Sequence, residues 1–249
     1  MEALSSCDGN KAPGLDGFNL NFVKANWEVV EDDFLKFMVD FHDDGVVVKE
    51  LNMTFIALIP KCARPENMSD FRPISLVGSF YKILAKTLAN RLKKVIGSVI
   101  GETQSAFVKD HQILDSFVVA EEIIRHWKKS KRGRLVVKLD FENAYYSLDH
   151  SFLDNVLKDM GFGRKWRHWM SCCVFSLVLS VLVNRCPTRQ LGIEKGLRQG
   201  DPISPFLFNI AVEGLSALFR KAADMGLVKG AVLGVEELRI PHFTFAIYG

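Results

Sequence analysis

The sequence predicts an α+β fold, on three observations. Apolar residues recur at helical spacing in several separate stretches, and short apolar runs bounded by proline, glycine or charge lie between them without alternating one for one. In addition, 48% of the 249 residues are hydrophobic, which supplies ample material for a core. No repeat, low-complexity tract or linker divides the chain.

Taken in order, the turn-like run from Lys11 to Gly17 comes first, and after it Trp27, Val30, Phe34, Phe37, Met38 and Phe41 predict an amphipathic helix that ends near Gly45. Residues 53–59 read as a short buried strand closed by Pro60, and the polar stretch beyond it, with Lys61, Arg64 and Arg72 ahead of Pro73, reads as a loop. Across residues 80–100, Leu84, Leu88, Leu92, Val95 and Val99 share one face, with Lys82, Lys86, Lys93 and Lys94 elsewhere. That is a helix with a basic exposed side, and a solvated face explains the charge better than nucleic-acid contact does. Residues 113–127 predict a second such helix, running into a basic cluster, 128–132, most simply a solvated turn. Residues 135–139 form a strand, 151–160 and 164–173 are helices, and 175–183 is a β-rich run with 187–193 as its hairpin partner. A long apolar helix, 203–223, begins behind Asp201-Pro202, and 238–248 reads as a last strand.

With 32 Lys and Arg against 29 Asp and Glu, the formal charge of +3 permits a phosphate-rich partner without requiring one. Of the five cysteines, Cys172 and Cys173 stand next to each other, a spacing that suits no zinc site, so reduced thiols are expected. Residues 1–10 are polar and acidic, unlike a signal peptide, and the longest apolar stretch, 172–183, is broken by Ser176 and Ser180. It falls short of the roughly 20 residues a membrane span needs. A soluble intracellular protein with no membrane partner is the expectation.

Two places can carry chemistry. Asp140 ends the apolar run 135–139, so its carboxylate is displayed where a hard cation could sit, or else bonds to nearby backbone amides as a cap. The loop 196–202 is explained in part without function, by Asp201 as N-cap, Pro202 at the first helical position and glycines in the turn. That leaves Arg198 and Gln199, two long polar side chains beside a helix N-terminus, where phosphate or base contact is favoured.

These residues carry a resemblance. RLVVKLDFENAYYSLDH, residues 134–150, looks like the first palm motif of reverse transcriptases, and GLRQGDPISPFLFNI, residues 196–210, is similar to their second, in the version of plant LINE-type (non-LTR) retrotransposons. FIALIPK, 55–61, and DFRPISLVGSFYKILAKTLANRL, 70–92, resemble the fingers segments, and KAPGLDGF, 11–18, the segment before them. The resemblance implies the fingers and partial palm of a right-hand polymerase without a thumb. Residues 1–133 would be a fingers-like region with an N-terminal helical extension, and residues 134–249 an incomplete palm. It implies an RNA template, a DNA primer and a deoxynucleoside triphosphate as partners, and two Mg²⁺ ions as cofactor. Asp140 would be the catalytic, metal-binding carboxylate, with Phe141 adding its backbone carbonyl. Tyr145 would lie under the incoming sugar, or be a core tyrosine. Lys61 and Arg72 would grip the triphosphate, unless they are plain surface charges. Gln199 and Gly200 would contact the templating pair and let the backbone approach the nucleotide.

Two departures qualify these implications. Tyr146 stands where LINE-type relatives usually carry Asp, which bears on local structure more than on chemistry. Where the family has an aromatic residue, Ala and two aspartates, this chain reads Phe245-Ala246-Ile247-Tyr248-Gly249 and ends. One carboxylate and one carbonyl would hold two Mg²⁺ ions weakly, so polymerisation by this chain is expected to be negligible. A non-catalytic nucleic-acid-binding module, or a decayed remnant of a mobile element, is the alternative.

Overall fold

Four short or medium helices lead into the first strand: α1 (Glu2–Ser5), α2 (Leu20–Ala25), α3 (Trp27–Asp44) and α4 (Lys49–Asn52). They belong to a computed structural model that describes residues 2–101, 113–130, 144–228, 231–233 and 238–240. The Asn19 side chain opens α2 by accepting from the Phe22 amide at 2.9 Å, and α3 ends at Gly45, whose N–H bonds to Phe41 O at 2.8 Å. The face of α3 marked by Trp27, Val30, Phe34, Phe37 and Met38 meets Ala3, Leu4, Leu20, Val23, Ile83 and Phe80 in one apolar cluster, with the rings of Phe34 and Phe80 edge-on at 5.5 Å.

The chain divides into two units, Met1–Leu92 with Ala144–Pro205, and Lys93–Asn143 with Phe206–Gly249. In the first, β1 (Met53–Pro60) pairs antiparallel with β2 (Phe71–Val77), from Thr54 opposite Val77 to Pro60 opposite Phe71. The residues just ahead of Pro73, predicted as the end of a loop, therefore belong to a strand, and Arg72 sits on it. Then comes α5 (Ser79–Val99), whose first amide donates to the Asp16 carboxylate at 2.5 Å while Ser79 Oγ donates to Phe18 O at 2.8 Å. The turn-like run around Asp16 thus caps a helix far along the chain.

The helix α6 (Ile113–Ser130) belongs to the second unit. Back in the first unit, α7 (Ala144–Ser147), α8 (His150–Asp159) and α9 (Arg164–Met170) follow, with a π-helical turn, Ser171–Phe175, after α9. Asp149 caps α8 by accepting from Phe152 N at 2.7 Å. Then β3 (Val178–Val183) lies parallel to β1, Met53 opposite Val178, and takes β4 (Cys186–Pro187) and β5 (Leu191–Gly192) as antiparallel partners. The sheet order is β2-β1-β3-β4 with β5 also on β3, which puts β2 at an edge.

The helix α10 (Ser204–Asp224), which lies in the second unit from Phe206 onward, is followed by a two-stranded ladder of β6 (Ala231–Leu233) and β7 (Leu238–Ile240). That helix opens at Ser204, so Pro202 precedes it and does not take its first position. The expectations placed on 131–143 and 241–249, which include the strand 135–139, Asp140, Phe141 and Ile247-Tyr248, lie outside the described residues. The structure mixes helix and sheet, which is compatible with the predicted α+β class. No helix among the described residues is long and apolar enough to cross a membrane.

Candidate functional site

Strand register brings Lys61 and Arg72 to one side of the hairpin. Lys61 N donates to Asp70 O at 2.7 Å, continuing the ladder by one pair, and Arg72 stands opposite Ile59. Side chains alternate with a period of two and opposite residues share a face, so Lys61, two residues beyond Ile59, lies on the face that carries Arg72 and Ile74. Thr54, Ser75 and Val77 point the other way and are buried. Both cations are exposed. The Lys61 ammonium donates to Ser69 O at 2.9 Å, a solvent-exposed bond that a phosphate oxygen could replace.

The connecting turn is held by Asp70, whose carboxylate accepts from Glu66 N and Asn67 N, both at 2.9 Å. Those two amides, Asn67 foremost, hold its carboxyl below the ordinary carboxylate value, with Lys61 adding a smaller pull. A carboxylate whose folded pKa is depressed stabilises the fold above its unfolded pKa, and that stabilisation is lost as pH falls through the folded value. The Glu66 and Asn67 amide protons are therefore expected to stay protected down to about the ordinary carboxylate range and to become exchange-labile only below it. Hydrogen exchange followed by NMR checks this, and Asp70→Asn should abolish the pH dependence.

On the outer edge of β2 sits the loop from Gly196 to Asp201. Because Lys61 and Asp70 form a hydrogen-bonded pair, alternation along the ladder turns the backbone groups of Pro73 and Ser75 outward. Proline suits such a place, since it has no N–H to leave unpaired. The Ser75 amide donates to Gln199 O at 3.0 Å, and Pro73 O accepts from the Tyr146 hydroxyl at 2.9 Å, which also lies 2.5 Å from Gln199 Oε1. Next along the loop, Gly200 has φ +98°, and a Cβ there would rest 3.7 Å from Ser75 O and 3.8 Å from Ile74 Cγ2, ordinary contact. Its backbone conformation, more than its surroundings, calls for glycine. The structure thus brings Lys61, Arg72, Gln199 and Gly200 around one hairpin. Tyr145 joins through its backbone, its carbonyl accepting from Leu197 N at 2.5 Å, and its ring is half-buried. Asp140 and Phe141 lie outside the described residues.

Arg198 does not face outward for phosphate or base contact, as its place in a polar loop predicts. It is 3% exposed. One Nη donates to both Asn52 O and Asn52 Oδ1 at 2.5 Å, the guanidinium stacks over the Tyr81 ring at 4.3 Å, and the Asp201 carboxylate is 3.6 Å away. Asn52 in turn donates to Cys172 O at 3.0 Å, and Tyr81 donates to Cys173 O at 3.1 Å. Burial pushes the Asp201 carboxyl above its ordinary value, with Arg198 opposing the shift. The Asp201 side chain also accepts from Ile203 N at 3.0 Å, bracing the turn that leads to α10. What this cluster does is fix the backbone on either side of Gln199, so its role is support. Nothing local in the sequence signals it, because Asn52 and Tyr81 are remote in the chain.

A separate cleft of about 520 Å³ lies between α8 and α9. None of the predicted residues lines it, and four of its polar side chains are engaged with the protein itself: Arg167 with Asp154 at 2.9 Å, His168 with Asp44 O at 3.2 Å, and His150 with Gly196 O at 2.7 Å. Among the described residues no group of three His, Cys, Asp or Glu side chains comes together to hold a metal ion.

Residues 59–246 match the family of reverse transcriptases, RNA-dependent DNA polymerases. The chain is 28% identical over 245 residues to the transposon TX1 uncharacterized 149 kDa protein of Xenopus laevis, across 98% of this chain and 18% of that protein. It is 26% identical over 190 residues to the retrovirus-related Pol polyprotein from type-1 retrotransposable element R2 of Popillia japonica, across 76% of this chain and 26% of the other. A third relative is the Pol polyprotein from type-2 retrotransposable element R2DM of Drosophila melanogaster, 25% identical over 206 residues, 83% of this chain and 19% of the other. This chain therefore spans between 18% and 26% of the length of these relatives.

Proposed function

The chain belongs to the reverse transcriptase family, as a domain of the non-LTR retroelement kind, and from that premise we propose that its hairpin face binds a deoxynucleoside triphosphate beside a primed RNA template. The observation that carries this reading is the placement of Lys61 and Arg72 on one face of the β1–β2 hairpin, with Gln199 hydrogen-bonded along the edge of the same hairpin and Gly200 beside it. A point charge and a planar fork there suit the oxygens of a triphosphate. Gln199 and Gly200 contact the nucleotide and its templating base, and the Tyr145 ring lies beneath the sugar. Residues 1–133 act as a fingers-like region with an N-terminal helical extension and 134–249 as an incomplete palm, of the plant LINE type by the motif in residues 196–210.

Binding is proposed here, with little turnover. Divalent ions are general to the family and neutralise charge on the triphosphate. Asp140 and the Phe141 carbonyl are a poor donor set for them, and Ile247-Tyr248 stand where the family carries its acidic pair.

A titration of this chain with a fluorescent deoxynucleoside triphosphate, with primed RNA–DNA hybrid present, tests the reading. Each charge-assisted hydrogen bond is worth about 1.5–3 kcal/mol, so Lys61→Ala and Arg72→Ala should each weaken binding about ten- to a hundredfold. Equal affinity of the wild type and the doubly substituted chain would remove the hairpin face from consideration.

A further inference from the structure

We propose that the cleft between α8 and α9 is a second anion site, apart from the hairpin face, in which Arg164 and the free edge of Arg167 hold the phosphate of a nucleotide unit. It stands on the side chains of the cleft and does not depend on the hairpin being a nucleotide site.

The argument begins with charge and with unused donors. Two guanidinium groups, Arg164 and Arg167, line the cleft together with one carboxylate, Asp154, which leaves an excess of positive charge. Asp154 accepts from Nε of Arg167 at 2.9 Å, and neither Nη of that residue has a partner among the described residues. A guanidinium is planar and carries five N–H groups, so the carboxylate holds Arg167 in one orientation while its Nη edge stays available. Arg164 is exposed and, among the described residues, has no ion-pair or hydrogen-bond partner. The side chains of Ser151, Asn155 and Ser171 line the same cleft, and they too are exposed and unengaged. Three neutral donors therefore stand with two cations, and the single carboxylate is already neutralised. Such a set rewards an oxyanion. Phosphate suits it better than a planar carboxylate does, because tetrahedral oxygens reach donors on different elements.

Size and rigidity support a ligand here. At about 520 Å³ the cleft is within the range of small-molecule sites and roomier than a lone phosphate needs, so an attached sugar fits as well. Its walls are braced before any ligand arrives. One wall is the π-helical turn Ser171–Phe175, a departure from the α-helix of a kind that recurs at functional sites. That turn is tied down where Asn52 donates to Cys172 O at 3.0 Å and Tyr81 donates to Cys173 O at 3.1 Å. The other wall is the first turn of α8, which Asp149 caps, and there the His150 ring stacks on Phe175 at 4.6 Å with its Nε2 2.7 Å from Gly196 O. Little affinity is then lost to ordering the protein. Phe175 is the one apolar side chain among the described residues that line the cleft, so binding is by charge and hydrogen bonds, and salt should weaken it.

The test uses this chain with Lys61→Ala and Arg72→Ala in place, so that the hairpin cations contribute nothing, and titrates it with a short fluorescent oligothymidylate or with thymidine monophosphate. Arg164→Gln is added in one variant and Ser151→Glu in another. Both residues are exposed and unengaged, and the first turn of α8 holds no acid, so a carboxylate at 151 suits the helix while repelling an anion in the cleft. Melting temperatures should therefore be unchanged or, in Ser151→Glu, slightly higher. Arg164→Gln should weaken binding of the strand about three- to tenfold and reduce the slope of log affinity against log salt by about 0.7, the share of one phosphate contact on a single strand. Ser151→Glu should weaken it at least as much. In ¹⁵N-edited spectra the Nε–H signals of Arg164 and Arg167 and the Asn155 NH₂ should shift during the titration. Responses to the oligothymidylate assign a strand backbone to the cleft, and responses confined to thymidine monophosphate assign a free nucleotide; either upholds the site. Equal affinity of the parent and both variants, arginine signals that stay in place while a probe binds, or no binding of either probe would overturn it. Because Lys61 and Arg72 are already replaced, none of these results bears on the hairpin face.

Discussion

Replacing Arg198 with Met is expected to destabilise the first unit by about 3–5 kcal/mol, the range for removing one partner of a buried charged pair. The guanidinium is the donor for two oxygens of Asn52, lies over the face of Tyr81, and is the nearest cation to the buried Asp201 carboxylate. Methionine fills much of its volume and supplies none of those donors, so two buried acceptors and one buried carboxylate are left without them. The deficit should depend on pH. Burial already raises the Asp201 carboxyl and Arg198 is the largest influence opposing that rise, so its loss lifts the folded-state value further. For an acid whose folded pKa lies above its unfolded one, the folded state holds more protons between the two values, and stability falls as pH rises across that window. Urea midpoints should therefore fall more steeply with rising pH in Arg198→Met than in the wild type, from the ordinary carboxylate range upward. A loss of under about 1 kcal/mol at neutral pH would show that the cluster is not what holds this loop.

Elements whose evidence is periodic were legible in the sequence. The helices α3, α5 and α8 announce themselves by apolar residues at helical spacing, and β1 by an apolar run closed at Pro60. The strand β2 was hidden by Pro73, which argues against a strand until one knows that the strand is an edge and that position 73 faces outward. Asp16 as the cap of α5 was equally hidden, because cap patterns are local and this one joins residues 63 apart. At the candidate site, motif resemblance selected Lys61, Arg72, Gln199 and Gly200, and the structure brings all four to one hairpin. What it could not supply was the division of labour between Arg198 and Gln199. Adjacent polar residues in a loop look alike in sequence, yet one is buried among Asn52, Tyr81 and Asp201 while its neighbour is partly exposed. Tyr146 stood out as a departure from the family, but its meaning depends on Pro73 and Gln199, both distant in the chain.

Gly196→Ala is the second substitution with a large expected effect, about 2–5 kcal/mol, because two independent requirements meet at one residue. The backbone there has φ +96°, a conformation that residues with a Cβ rarely adopt. A Cβ would also lie 2.8 Å from Tyr146 O, 2.9 Å from Tyr146 Cα and 3.0 Å from Tyr145 O. All three are backbone atoms, so no side chain can swing aside to make room. The segments that would have to part are also joined by bonds from Gly196 N to Leu148 O at 2.6 Å and from Leu197 N to Tyr145 O at 2.5 Å. Prying them apart moves Tyr145 and Tyr146 away from Gln199, so nucleotide affinity should fall even among molecules that remain folded. Gly200→Ala is the natural comparison, since it meets a similar φ of +98° with ordinary contacts of 3.7 and 3.8 Å and should cost only the backbone strain, about 1–3 kcal/mol. Denaturation midpoints of the two variants separate strain from close approach. If Gly196→Ala proves no more destabilising than Gly200→Ala, the tight packing of the loop against the Tyr145–Tyr146 backbone contributes nothing, and the clasp on the hairpin edge has to be rebuilt without it.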